Sequence, residues 1–287
     1  MPGAAPQTVY RDEFVAGFAQ RQTLLKDTCT DCMMVKGNIA TFLVAASTGT
    51  AVTRGVNGLI PSADNSNTQV SATLVEKHDL REMTGFNIFQ SQSDQRAIMQ
   101  MNAMSTINRD IDQIILTELG NGTLDTGSAA TATKNMINKA FAQLMINGVA
   151  MDGNLYAAIS PAFLMYLMDI PSFSSADFVT VKPHVSLPGW NAASEKKAGQ
   201  GWYDWMGVKW VVSNQISGIG TSSETCFMYH KASIGHAANT KEMDSAIGYD
   251  EKQQISWARC SIFHGVKILQ NTGIVRLIHD GSAFVAT

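Results

Sequence analysis

Apolar side chains recur every three or four positions from about Ser91 to Leu119: Ile98, Met101, Met104, Ile107, Ile111, Ile114 or Ile115, and Leu119. Gln95, Asn102, Arg109, Asp112 and Glu118 fill much of the opposite side, so the stretch predicts a long amphipathic helix with one buried stripe. Ser91 or Ser93 can cap its start, Asp94 suits the positive end of its dipole, and Gly120-Asn121-Gly122 stops it. Asp110 and Asp112 are placed on its solvated side. A second helix is predicted from about Ala132 to Asn147, with Met136, Ala140, Phe141, Leu144 and Met145 on one stripe.

Upstream the period changes to two. Phe42 and Val44 sit at strand spacing in the run Ile39 to Ala46, and Val70, Ala72 and Leu74 alternate with polar residues between Thr68 and about Leu80. Between them lies RGVNGLIPSADNSN, from Arg54 to Asn67, rich in turn formers and without apolar periodicity. This pattern predicts a long two-stranded hairpin with an irregular tip, an element that needs a surface to lie on. A short amphipathic helix is predicted from Arg11 to Lys26, with Phe14, Val15, Phe18, Leu24 and Leu25 on one side, behind a loose Pro/Gly-containing start.

After Gly148 the texture becomes mixed. Asn154 to Ile159 predicts a strand, and Ser160-Pro161 opens a helix to about Met168. Residues 169–206 are loop-rich. Strands are expected around Val208, Trp210 and Val212, at Cys226 to Tyr229, at Gln254 to Phe263 and at Gly273 to His279. The sum is an α+β chain with one long helix and no regular βαβ alternation.

Composition narrows the function classes. The net charge is -3, without the basic excess of a dedicated nucleic-acid binder. Charged residues make up 16%, against a typical value of about 25%, which leaves part of the surface available for partners. No run approaches the ~18 apolar residues of a membrane span, so no membrane partner is expected. The start lacks the basic and apolar segments of a signal peptide, and the cytoplasm is the default site of synthesis and residence.

Candidate chemistry is sparse. Cys29-Thr-Asp-Cys32 is a CxxC, but no second CxxC or HxxxH completes a zinc site and no βαβ context supports a redox pair. The residues read as reduced structural thiols; a thiol or metal enzyme built on Cys29 and Cys32 is the distant alternative. HExxH, GxSxG, the phosphate-binding GxxxxGK[ST] and a strand-borne GxGxxG are all absent. The tryptophan-rich stretch from Trp190 to Trp210 suits a structural or interface role better than a ligand site, since no convergent polar set accompanies it. No catalytic, cofactor-binding or metal-ligating residue is assigned, and no cofactor is expected.

The order of these parts resembles the major capsid proteins of tailed bacteriophages, whose fold is named after coliphage Hong Kong ninety-seven. Five segments carry the likeness: GLIPSADNSNTQVSATLVEKHDLREMTGFNIFQSQSDQRAIMQ, NLYAAISPAFLMYLM, GVKWVVSN, CFMYHKASIGHA and ISWARCSIFHGVKILQNTGIVRLIHD. They are similar to the family's loop-return strand and spine, the opening of its axial domain, the strand and turn back toward the periphery, and its closing strands.

The resemblance implies an N-terminal arm (1–37), an extended loop hairpin (38–90), a peripheral domain with the spine helix (91–147), an axial domain (148–235) and a return to the peripheral domain (236–287). It implies a coat protein, not an enzyme, that self-assembles through pentamers and hexamers into an icosahedral shell around packaged double-stranded DNA. Such a chain is made in the host cytoplasm and ends in the virion. Its subunit-interface candidates are Phe14 and Phe18 in the arm and Arg54, Val56, Leu59 and Ile60 at the loop tip. The spine opens too early in the chain to leave room for a built-in scaffolding region, so a separate scaffolding protein is expected. A portal, room for a decoration protein, and non-specific contact with the packaged DNA complete the implied partners. An encapsulin-like nanocompartment shell is the alternative within the same fold.

Overall fold

The computed structural model describes residues 23–32, 35, 37–46, 51, 53–56, 58, 66–90, 94–174, 202–238 and 244–284. In chain order the elements are β1 (Thr30–Cys32), β2 (Ile39–Ala46), β3 (Ser66–Thr73), β4 (Val75–Thr84), α1 (Gly85–Gln90), α2 (Gln95–Leu119), β5 (Leu124–Asp125), α3 (Lys134–Ile146), β6 (Leu155–Ile159), α4 (Pro161–Met168), α5 (Pro171–Ser174), β7 (Trp202–Trp205), β8 (Val208–Val212), β9 (Glu224–His230), β10 (Ile234–Ala238), β11 (Asp244–Asp250), β12 (Ile255–Ile268) and β13 (Ile274–His279).

Two sheets organise them. In the first, β1, β10, β12 and β11 lie in that order, and β4 pairs antiparallel with β12 over ten residues, from Val75↔His264 to Thr84↔Ile255. The second has the order β5-β13-β9-β6-β8-β7. β2 and β3 form a separate two-stranded ribbon. The α+β class expected from the sequence holds.

Helix α2 lies across the first sheet. Ile107, Ile111, Ile115 and Leu119 are buried at helical spacing, and one apolar core runs from them through Cys260 and Ile262 of β12 to Trp210, Phe163 and Leu277 around the second sheet. The predicted stripe holds in the last three turns and drifts near the start, where Met99 and Ala103 are buried and Met104 is exposed. The expected cap also shifts. The helix begins at Gln95 because the Asp94 carboxylate accepts the Ala97 N–H at 3.2 Å; Ser91 and Ser93 lie outside the described residues. In α3, capped by Thr133, the expected Met136, Ala140 and Leu144 are buried and Phe141 packs against the core, while Ile137 joins the buried side and Met145 is exposed.

Two further expectations change. The strand read from Thr68 to Leu80 is two strands, because β3 pairs with β2 while β4, after Leu74 alone, pairs with β12. β10 and β11 are strands that the sequence pattern did not announce; β10 is buried on both sides and shows no alternation. The segment 236–287 is split, since β11 and β12 belong to the first sheet whereas β13 pairs with β9 in the second. Trp205 and Trp210 are core residues, and the Trp210 indole N–H donates to the Trp205 carbonyl at 3.2 Å; Trp190 lies outside the described residues.

Ile111→Ala is expected to lower stability by about 2–5 kcal/mol, as for other buried aliphatic truncations. Met104→Ala, on the exposed side of the same helix, should stay within about 0.5 kcal/mol of the parent. Urea unfolding of the two variants, monitored by circular dichroism, checks the placement of the stripe.

Candidate assembly interface

The surface element most in need of a partner is the β2–β3 ribbon, which carries exposed apolar side chains beyond a buried root. The chain entering β1 has a buried root of its own.

The ribbon pairs in register from Ile39↔Thr73 to Ala46↔Ser66. At its root Ala40, Phe42 and Ala72 bury against Ala237 of β10. One residue beyond, Leu43 is 66% exposed, an unusual state for leucine in a strand. At the tip the Gly58 N–H donates to the Gly55 carbonyl at 2.9 Å, closing a turn over Val56. Val56 is fully exposed, and Arg54 is exposed as well. Of the six interface candidates, these two are on the described tip; Phe14, Phe18, Leu59 and Ile60 lie outside the described residues.

The arm root is held by a residue whose placement the sequence reading misjudged. Asp112 is not on the solvated side of α2 but fully buried. Its carboxylate accepts the Leu24 N–H at 2.9 Å and the Leu25 N–H at 3.0 Å, at the start of a short 3-10 turn. A buried carboxylate persists only when such donors replace its water. Here the donors come from 87 and 88 residues upstream, beyond the reach of any local pattern. Asp110 is half-buried and bonds Lys77 of β4 and His264 of β12, both at 3.3 Å. Thr28 adds a 2.6 Å hydroxyl contact with Tyr229. The two cysteines of the CxxC part company: Cys29 enters the main core, where burial pushes its thiol up to about 12, while Cys32 packs beside the ribbon root.

Two buried imidazoles lie in this region. His236 of β10 and His264 of β12 are 5.7 Å apart between ring centroids and both fully buried. Neither nitrogen of His236 has a hydrogen-bond partner among the described residues, and Asp31 is 3.8 Å away, too far for one. Burial, with the nearby His264 and Lys26, lowers the pKa of His236 to about 3.

A second polar cluster is fully buried around the second sheet. Ser160 caps α4 by accepting the Phe163 N–H at 3.1 Å, and its hydroxyl donates to Glu224. Glu224 also accepts the Gly220 N–H at 2.6 Å and meets His279 Nε2 at 3.0 Å. The serine hydroxyl faces that same Nε2 at 3.5 Å. A nucleophile relay needs the serine and the acid on opposite ring nitrogens, with access for substrate. This group has neither, and ties a helix start, a turn and the closing strand together.

A family model described as a phage capsid protein matches residues 3–280. The chain belongs to the phage capsid protein family. It is a major capsid protein, a building block of the virion shell. Solved capsid structures have the same fold over nearly the whole length. Mycobacterium phage Che8 aligns at a TM-score of 0.71 with 16% identity, covering 96% of this chain and 98% of that one. The capsid of Ralstonia phage GP4 aligns at 0.71 with 10% identity, over 98% and 97%. The capsid of a native GTA particle aligns at 0.69 with 13% identity, over 96% and 95%. Among curated proteins none matches significantly. The tailed-phage capsid fold expected from the order of elements therefore holds, at identities where sequence alone carries little.

Two predictions concern the roots of this capsid protein. Asp112→Ala leaves a buried N–H without an acceptor, a loss of about 1–3 kcal/mol, and amide exchange at Leu24 and Leu25 should accelerate; Asp112→Asn, which keeps an oxygen, should lose less. His236 has a folded pKa below its unfolded value, so the stability it allows is complete above about pH 6.5 and is lost as pH falls toward 3. The loss is at most about 1.4 kcal/mol per pH unit for each proton taken up. His236→Phe should flatten this acid limb in denaturant midpoints measured at pH 7 and pH 5.

Proposed function

We propose that this capsid protein assembles through pentamers and hexamers into an icosahedral shell around double-stranded DNA, as a non-catalytic coat. The supporting observation is the ribbon: anchored at Phe42, it carries exposed Leu43, Arg54 and Val56 away from its own core. A subunit gains nothing from such an element alone, whereas copies that overlap gain a contact at every repeat. The organisation into an arm (1–37), hairpin (38–90), spine-bearing peripheral part (91–147), axial part (148–235) and returning segment (236–287, with β13 joining the second sheet) belongs to this reading. So do Phe14, Phe18, Leu59 and Ile60 as further contacts, a separate scaffolding protein, a portal, and assembly in the host cytoplasm. The net charge of -3 favours loose, non-specific contact with DNA that must enter and leave.

Replacing Val56 to Asn65 with a short Gly-Ser turn separates folding from assembly. Because loop-closure entropy varies slowly with length, the unassembled subunit should keep its circular dichroism and thermal unfolding. Closed shells, followed by electron microscopy, should fail or be fragile. Normal shells from this variant would show that the tip is not an interface, and wild-type particles filled with protein instead of DNA would point to a nanocompartment.

A further inference from the structure

The ribbon root rests on two glycines of the first sheet. Opposed residues in a ladder share a face, and Gly235 of β10 pairs with Lys267 of β12 while Ala237 pairs with Gly265. Gly235, Ala237 and Gly265 therefore form a shallow saddle across two adjacent strands. The tip of the Phe42 ring stands on Gly235: a methyl group there would lie 2.8 Å from Phe42 Cζ and 2.9 Å from Cε1. The Thr73 carbonyl lies over Gly265, where a methyl group would overlap its oxygen and come within 3.0 Å of its carbon. Neither glycine has a positive φ, so the local backbone does not require glycine at either place. What requires it is the close approach of the ribbon.

The two contacts come from the two different strands of the ribbon, Phe42 from β2 and Thr73 from β3. Two points on separate strands fix both where the ribbon crosses the sheet and how it is rotated there. We infer that Gly235 and Gly265 are positioning residues that set the direction in which the hairpin leaves the subunit. The lever is long: strands rise about 3.3 Å per residue, so a tilt of about 10° at the root displaces a point ten residues out by about 6 Å. That displacement decides which surface of a neighbour the tip can meet. This last step rests on the shell reading above; the direction of the hairpin does not.

The test reads direction in the unassembled subunit and shell geometry separately. Spin labels at Arg54→Cys, twelve residues beyond Phe42 near the ribbon tip, and Gln113→Cys on α2, in a Cys32→Ala background, report one distance. Gly235→Ala should shift or broaden that distance by several ångströms. Phe42→Leu, which removes the ring tip, should restore it in the double variant. In assembly, Gly235→Ala should give aberrant or mixed particle sizes and the double variant uniform ones. An unchanged distance in Gly235→Ala, or loss of fold that Phe42→Leu does not rescue, would overturn the inference. A shifted and rescued distance, with wild-type subunits that never form shells, would uphold the seat and refute the shell reading.

Discussion

The packing of α2 across β4 and β12 is the constraint on which the rest of the subunit depends. One face of the helix must be covered, and one of the strands that cover it is continuous with the ribbon. β4 is the extension of the ribbon strand β3, β12 carries one side of the saddle on which the ribbon rests, and Asp112 on the helix holds the chain leading into β1. The seat of the ribbon and the anchor of the chain entering β1 are therefore built into the same layer. Lys77 and Arg81 of β4 bond Asp110 and Thr106 of α2, which fixes the helix and the ribbon's return strand as one piece.

Much of this layer is legible in the sequence because its signals are local. The spacing of Ile107, Ile111, Ile115 and Leu119, the Ser160-Pro161 helix start and the alternation around Phe42 and Val70 each depend on neighbours within a turn or two. The failures share a cause as well. Asp112 reads as a surface residue because its donors, Leu24 and Leu25, are remote in sequence. β10 escapes notice because both its sides are buried, and β4 merges with β3 because only pairing with β12 separates them. The Ser160–Glu224–His279 cluster joins three distant segments and leaves no periodic trace. The tip residue Val56 is recognisable as a candidate by the mismatch of an apolar side chain within turn-forming sequence, while the glycines beneath the ribbon look like ordinary strand glycines until their neighbours are seen.

The buried polar groups divide the molecule by their state of satisfaction. Glu224 and Asp112 are surrounded by donors and act as fixed pins. His236 has no hydrogen-bond partner among the described residues and is tolerated only as the neutral ring. The layer beneath the ribbon therefore contains a group whose protonation is penalised, whereas the cluster around β9 and β13 is closed on itself.

The continuity of the ribbon with the first sheet also has a mechanical side. Tension drawn through β3 passes Leu74 and enters β4 at Val75, at one end of the ten-residue ladder with β12. Antiparallel ladder bonds run perpendicular to the strands. A pull in line with β4 thus loads them together in shear, rather than peeling them one at a time. A shell under internal pressure that strains its hairpins would deliver that load to the strongest direction of the sheet, with α2 clamped across it.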